Sequence, residues 1–268
     1  MTAKEILSQL VSFPVLGGES NLTIISWIGD YLQSFGVDYQ LVPNPEGTKA
    51  SLHARIGPAV DGGIILSGHT DVVPVEGQDW HTDPFQLIEK DGKLYARGSC
   101  DMKGFLACVL AVVPQMVKTT LTTPIYLAFS YDEEVGCVAA PELITAIKAY
   151  YSERPRYAII GEPSELQPVV GQKGICVYKT TVWGSAGHSS RIRTEVSAIH
   201  EAARLVGWLE QKMNNLVATG HVDDRFSPTI PPYMSVCSMV ALHIMSLPIG
   251  VSFSSTCAIS PWILLRTS

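Results

Sequence analysis

Hydrophobic residues recur at helical spacing in the first part of the chain. Residues 2–13 predict a helix, because one stripe of that segment carries the apolar side chains of Ile6, Leu7, Leu10 and Val11. Ser20 precedes the next apolar segment and is predicted to cap a second helix, which Gly36 would end.

Short apolar runs that end in polar residues come next. The segments "VDYQLV" and "SLHARIG" predict strands, and three further runs, "GGIILSGHTDVV", "TPIYLAFSYDEE" and "RYAIIGEPSE", predict strands that break into polar or acidic residues. Residues 102–117 and 138–150 have helical length and composition and lie between these strands. Strands that alternate with helices predict an α/β fold, in which ligands collect at the carboxyl ends of the strands.

The pattern changes from Gly174 onward. The segment "GICVYKTTVWG" predicts a strand, "SAGHSSR" a turn, and residues 195–216 a helix, as in a second, smaller α+β domain. No Asp, Glu, Lys or Arg lies between Arg225 and Arg266. We therefore expect a catalytic domain over 1–173, a partial second domain over 174–240, and an atypical, possibly frame-shifted tail over 241–268.

Composition narrows the classes of partner. The chain has 268 residues, 46% of them hydrophobic and 16% charged, and its net charge is −6 with no Lys/Arg run longer than two. Such a chain offers no electrostatic footprint to a nucleic acid, so we expect no nucleic-acid partner. We expect no membrane span either, since prolines and serines break the apolar runs of the tail well short of the roughly 20 residues that a span needs.

The cysteines and the N-terminus indicate a cytoplasmic protein. The six cysteines form no close C-x-x-C pair, which argues against both a disulfide framework and a zinc site made of cysteines alone. The N-terminal segment lacks the basic region followed by an apolar region that marks a signal peptide.

Two candidate motifs are ambiguous when each is taken alone. His69 and Asp71 in "SGHTDVV" share a strand face, which suits a metal-binding histidine oriented by a carboxylate but also an ordinary surface pair. Asp101 in "RGSCDMKGF" precedes a helix and could be a ligand or an N-cap residue. Lys103 is expected to be solvated or to support a ligand from behind.

The acids after the later strands favour a metal site. Glu133, Glu134 and Glu162 follow strand ends that should converge with His69 and Asp101. Carboxylates confined to one end of an apolar sheet are unfavourable unless a cation neutralises them, and nitrogen and oxygen ligands without thiolate suit zinc, with manganese or cobalt as substitutes. The alternative is a set of unrelated loop acids.

Five motifs together resemble one known family. The segments "GHTDVVPV", "DGKLYARGSCDMKG", "DEEVG", "IIGEPSELQPVVGQKG" and "GSAGHSS" resemble, in order, those of the acetylornithine deacetylase / succinyl-diaminopimelate desuccinylase family of dizinc amidohydrolases. The resemblance covers residues 1 to about 235. It implies a catalytic domain with a mixed sheet flanked by helices, plus a ferredoxin-like lid and dimerisation domain.

The resemblance also implies roles for individual residues. His69 and Glu162 would bind the first zinc ion, Glu134 the second, and Asp101 both, with Asp71 orienting His69 and a cis peptide following Asp101. Glu133 would act as the general base. His188 would stabilise the oxyanion in the active site of a dimer partner, although without the resemblance it is only a turn histidine.

One expected ligand has no counterpart in this sequence. The family supplies a last histidine to the second zinc ion, and neither His221 nor His243 lies in the matching motif. We therefore expect a truncated or frame-shifted product. The implied reaction is hydrolysis of an N-acyl amino acid. The residues of the motifs resemble the deacetylase branch more than the desuccinylase branch, which favours N2-acetyl-L-ornithine as substrate and a role in arginine biosynthesis. Desuccinylation, dipeptide hydrolysis on the same site, and an inactive fragment are the alternatives.

Overall fold

The computed structural model describes residues 1–172, 176–185, 196–220, 223, 225, 233–237 and 250–257. The chain divides into two compact units, Met1–Gln167 and Pro168–Ser268. Of the helices that the structure describes, none combines the length and hydropathy that a bilayer span requires.

The first unit contains four helices and seven strands. The helices are α1 (Ala3–Val11), α2 (Leu22–Gln33), α3 (Lys103–Lys118) and α4 (Ala140–Tyr150). The strands are β1 (Tyr39–Pro43), β2 (Ala50–Ile56), β3 (Ile64–His69), β4 (Ile88–Lys90), β5 (Lys93–Tyr95), β6 (Ile125–Ser130) and β7 (Tyr157–Ile160).

The predicted helices form close to their expected bounds, with one difference at α2. Thr2 caps α1 and forms a reciprocal capping box with Glu5. The N-cap of α2 is Asn21, one residue after the predicted Ser20, although the Ser20 hydroxyl accepts from the amide of Leu22 at 3.4 Å. The side-chain amide of Asn21 donates to the backbone carbonyl of Ala50, and this bond connects the start of the helix to the sheet.

A five-stranded mixed sheet in the order β1-β2-β6-β3-β7 forms the centre of this unit, and the predicted α/β class is confirmed. The pairs β1–β2 and β2–β6 are antiparallel, whereas β6–β3 and β3–β7 are parallel. The carboxyl ends of three strands therefore lie at one edge of the sheet, where ligands collect in α/β proteins.

Helices cover both faces of the sheet. Successive side chains of β6 point to opposite faces, so they pack into two separate clusters. Leu127 and Phe129 join the main core, which is built from α1, α2, α3 and the inner face of the sheet. Tyr126 and Ala128 pack on the other face against α4 and against Tyr151, which follows it. Helices on both faces hold the strand ends in fixed positions.

The second unit contains β8 (Cys176–Trp183), α5 (Ala198–Ala218), β9 (Tyr233–Cys237) and β10 (Gly250–Cys257). Its strands form an antiparallel sheet in the order β8-β10-β9. Ser197 caps α5 through its side chain, which accepts from the His200 amide. The strand β10 lies within the segment that the sequence marks as atypical.

Candidate metal centre

Three strand ends bring the candidate residues of the first unit together. His69 is the last residue of β3, and it lies opposite Ser130, the last residue of β6. Glu133 and Glu134 follow β6, and Glu162 follows β7. The convergence predicted from the sequence is therefore present.

The donor atoms of these residues surround the imidazole of His69. Its Nε2 lies 3.1 Å from Asp101 Oδ1, 3.8 Å from Glu133 Oε2 and 3.9 Å from Glu162 Oε1. Two overlapping groups, His69–Glu133–Glu162 and His69–Asp101–Glu134, each place one donor atom per residue within 4.8 Å of the others. The set thus presents one nitrogen and four carboxylates to a common space.

A backbone carbonyl fixes the tautomer of His69. Nδ1 lies 2.9 Å from the carbonyl oxygen of Asp71, which can only accept, so Nδ1 carries the proton. In the neutral ring, Nε2 then presents its lone pair to the carboxylates. The carboxylate oxygen Oδ1 of Asp71 is farther from Nδ1, at 3.6 Å, and acts on the ring as a nearby charge.

The carboxylate of Asp71 binds the backbone of the two glutamates. Oδ1 accepts from the amide of Glu133 at 3.2 Å, and Oδ2 accepts from the amide of Glu134 at 3.1 Å. Asp71 is 1% exposed, so water does not compete for these bonds. Although burial raises the pKa of Asp71, the neighbouring His69 and the two amides outweigh it and lower that pKa.

The cluster shifts the pKa values of its members in the direction that crowded carboxylates require. Burial raises the pKa of Glu162 to about 7, and the nearby Asp101 and Glu133 add to the effect. Burial and Asp101 likewise raise the pKa of Glu134. Burial lowers the pKa of His69, but the charges of Asp71, Glu162 and Glu133 prevail and raise it to about 9.

This donor set fits a divalent metal ion. A buried imidazole whose Nε2 lies at hydrogen-bond distance from one carboxylate and within 4 Å of two more holds a proton there unless a cation takes its place. The fixed tautomer leaves Nε2 as the ligand atom, and the ligand types suit zinc, manganese or cobalt. Glu133 Oε2 lies as close to Nε2 of His69 as Glu162 Oε1 does, so both carboxylates border the same space.

Asp132, the first acid of "DEEVG", has a structural role. Asp132 adopts a positive φ of 55°, and its Oδ1 accepts from the amide of Gly18 at 2.8 Å. Its Oδ2 forms a short ion pair with Lys49. Asp132 thus holds the loop that carries Glu133 and Glu134.

Asp101 and Lys103 settle two alternatives that the sequence left open. Met102, not Asp101, is the N-cap of α3, and the peptide between them is cis, as the resemblance implied. Lys103 is fully buried, which excludes the solvated alternative and leaves that of a residue supporting a ligand from behind. Its ammonium donates to the carbonyl of Phe13 at 2.8 Å, and burial lowers its pKa to about 8.

His188 lies outside the described residues, so the role assigned to it stays a prediction. One residue that the sequence reasoning passed over is Cys137. Its thiol lies 3.3 Å from Glu133 Oε1. The only signal for it in the sequence is its position four residues after Glu133.

Comparison with known proteins identifies the family of this chain. The model of peptidase family M20/M25/M40 matches residues 65–253. An acetylornithine deacetylase of Pasteurella multocida is 36% identical over 220 residues, which are 79% of this chain and 56% of that protein. This chain therefore spans little more than half the length of that relative.

Solved structures share the fold at low sequence identity. A metallo-carboxypeptidase of Sulfolobus solfataricus matches with a TM-score of 0.74 and 16% identity, covering 97% of this chain and 72% of that one. Human carnosine dipeptidase 1 matches with a TM-score of 0.65 and 19% identity, covering 97% of this chain and 70% of that one. The family match and the curated relative agree with the sequence resemblance, and the chain belongs to peptidase family M20/M25/M40.

Proposed function

We propose that this chain hydrolyses an N-acyl amino acid in a metal-dependent reaction, with N2-acetyl-L-ornithine as substrate and L-ornithine and acetate as products. The observation that carries the proposal is the convergence of one imidazole and four carboxylates at the carboxyl edge of the sheet. The 36% identity to an acetylornithine deacetylase supports the choice of substrate.

The proposed ligands divide between two zinc ions, for which cobalt or manganese could substitute. His69 and Glu162 would hold the first ion and Glu134 the second, while Asp101 would contact both. Bound divalent metal supplies a Lewis acid that polarises an amide carbonyl and makes water easier to deprotonate. Asp71 would keep the ring of His69 and the backbone of Glu134 in place for this purpose.

Glu133 is the proposed general base. Its Oε2 faces the His69 cluster, so it would take a proton from the attacking water and later deliver it to the leaving amine nitrogen. The C–N bond breaks, the acyl carbon gains the water oxygen, and the amine leaves with the transferred proton. His188 is proposed to stabilise the developing oxyanion from a partner subunit of a homodimer.

We also propose a cytoplasmic setting and a place in arginine biosynthesis. Cys100, Cys108 and Cys137 are unpaired, which supports a reducing compartment. The reaction as proposed would supply ornithine. Neither statement depends on the mechanism.

The proposal is tested with the purified 268-residue chain loaded with zinc. Release of ornithine from N-acetylornithine, with slower release of product from N-succinyl-diaminopimelate and from a dipeptide, would support it. Preference for either alternative substrate would reassign the specificity on the same site. No hydrolysis of any of the three by a chain that binds zinc would reject the activity for this chain.

A further inference from the structure

The two oxygens of the Glu133 carboxylate have different neighbours. Oε1 lies 3.3 Å from the thiol of Cys137, which donates to it. Oε2 lies 3.8 Å from Nε2 of His69. The thiol thus occupies one oxygen and leaves the other facing the donor cluster.

The backbone around Cys137 brings its side chain to this position. Its amide donates to the carbonyl of Glu133 at 3.0 Å, and the amide of Val138 donates to the carbonyl of Asp132 at 3.2 Å. Cys137 has a φ of 55°, a conformation that glycine adopts without strain and that is unfavourable for other residues. A hydrogen bond from the thiol to a charged acceptor offsets part of that cost.

Glu133 is therefore held at both ends. Asp71 accepts from its amide, and Cys137 donates to its carboxylate. A free glutamate side chain loses rotamer entropy when it is fixed. A base that is already fixed does not have to be ordered again in each turnover.

We propose that Cys137 is a positioning residue for the general base, and that its thiol holds Oε1 of Glu133 so that Oε2 faces the metal cluster. This inference rests on the proposed function, in which Glu133 takes the proton from water. Burial raises the pKa of the Cys137 thiol to about 11, with the hydrogen bond to Glu133 as the next cause, so the thiol stays a donor at neutral pH.

Two matched substitutions test the role. Cys137→Ser keeps a donor at this position and Cys137→Ala removes it, while both keep a Cβ and hence the same backbone strain. We expect Cys137→Ala to lower kcat for N-acetylornithine about tenfold, as loss of a bond of about 1.4 kcal/mol would. KM and zinc content should stay within about twofold, and Cys137→Ser should recover most of kcat. Equal kcat in wild type, Cys137→Ala and Cys137→Ser would overturn the proposal, and so would equal losses in both variants.

The contact between Cys137 and Glu133 can be measured by alkylation of the thiol, which requires neither enzyme activity nor bound metal. Iodoacetamide alkylation of Cys137, followed by peptide mass spectrometry in the presence of a chelator, should be several-fold faster in Glu133→Gln than in wild type. The reason is that removal of the carboxylate lowers the thiol pKa and raises the thiolate fraction. Cys108 in the same samples provides the control, since its rate should not change. An unchanged rate at Cys137 would overturn the contact, whereas an inactive wild type with faster alkylation in Glu133→Gln would reject only the proposed function.

Discussion

At the scale of the residue, Asp71 alone fixes the positions of three neighbouring residues. Its carboxylate accepts from the amides of Glu133 and Glu134, and its carbonyl fixes the ring of His69. The sequence predicted only the orientation of His69 by the carboxylate. The bonds to the two amides could not be predicted, because they join residues more than 60 positions apart.

Asp71→Asn should weaken metal binding. The amide nitrogen of asparagine cannot accept, so one of the two backbone amides of Glu133 and Glu134 loses its partner. We expect zinc affinity to fall by about 10–100-fold, the usual effect of changing a partner behind a ligand. Competition with a chromogenic chelator measures it, and Asp79→Asn, at a side chain that is 96% exposed, is the control. Equal affinities in the two variants would contradict the role.

Glu133→Gln and Glu134→Gln should separate the base from the ligand. If Glu133 moves a proton and Glu134 holds metal, the first substitution abolishes turnover with metal content nearly unchanged, and the second lowers metal content. Zinc analysis after gel filtration, together with ornithine release, measures both. Equal metal loss in the two variants would refute the division of roles.

At the scale of the element, close contact between α3 and the turn that precedes it fixes the position of that turn. Gly104 lies in the first turn of α3, and a Cβ there would lie 2.3 Å from the carbonyl oxygen of Ser99. The turn that carries Asp101 thus packs directly on the helix. No larger residue fits at this position without moving that turn.

Gly104→Ala should destabilise the first unit by about 1–3 kcal/mol, the usual cost of overpacking. It should also weaken zinc binding, because the turn that must move carries Asp101. Gly207→Ala is the matched control, since Gly207 lies within α5 with open space around it, and it should be neutral or stabilising by up to about 1 kcal/mol. Urea unfolding measures both, and similar stabilities would contradict the packing argument.

An ion pair joins β2 to the segment after α4. Arg55 bonds to Oε1 of Glu153, and the hydroxyl of Tyr126 donates to the same oxygen at 3.1 Å. Glu153 is 8% exposed. Burial by itself would raise the pKa of Glu153, but the bonds from Arg55 and Tyr126 lower it overall.

Glu153→Gln should therefore destabilise the fold by about 1–2 kcal/mol at neutral pH. A lowered pKa gives stability that is fully present above the ordinary glutamate pKa and that is lost as pH falls through the lowered value. The difference between wild type and Glu153→Gln should thus shrink below about pH 4. Unfolding curves at several pH values measure it, with Glu89→Gln at an exposed ion pair as control. A difference that stays constant down to pH 3 would contradict this reading.

The elements themselves were largely predictable, whereas their arrangement was not. The apolar stripe of α1 and the apolar runs of β3, β6 and β7 are local signals, and the structure confirms them. Strand order depends on pairings between distant segments, which no local pattern encodes. The N-cap of α2 lies one residue after the predicted Ser20, at Asn21, whose side chain bonds to Ala50, a tertiary contact that no local pattern encodes.

At the scale of the whole molecule, β7 is the least protected strand of the described sheet. It lies at the end of the strand order, and Tyr157, Ile159 and Ile160 are 60%, 47% and 58% exposed. Tyr157 and Ile159 lie on one face and Ile160 on the other, because side chains alternate along a strand. An exposed apolar edge strand favours association with other chains.

Ile160→Lys should reduce self-association of the isolated chain, because a charge on an edge strand opposes pairing with another edge. Light scattering over a range of protein concentrations measures it. Val60→Lys, at a loop residue that is 42% exposed, carries the same charge change elsewhere and is the control. An equal effect of the two substitutions would show that net charge, and not the edge of β7, governs association.

The buried ammonium of Lys103 has a consequence for the charge of the loaded site. Asp71, Asp101, Glu133, Glu134 and Glu162 contribute five negative charges around a neutral His69, and the two proposed dications supply four positive ones. Lys103, whose charge acts on Asp71, supplies the fifth. The loaded centre would then be electrically neutral, so the carboxylate of an amino acid substrate would approach it without net repulsion.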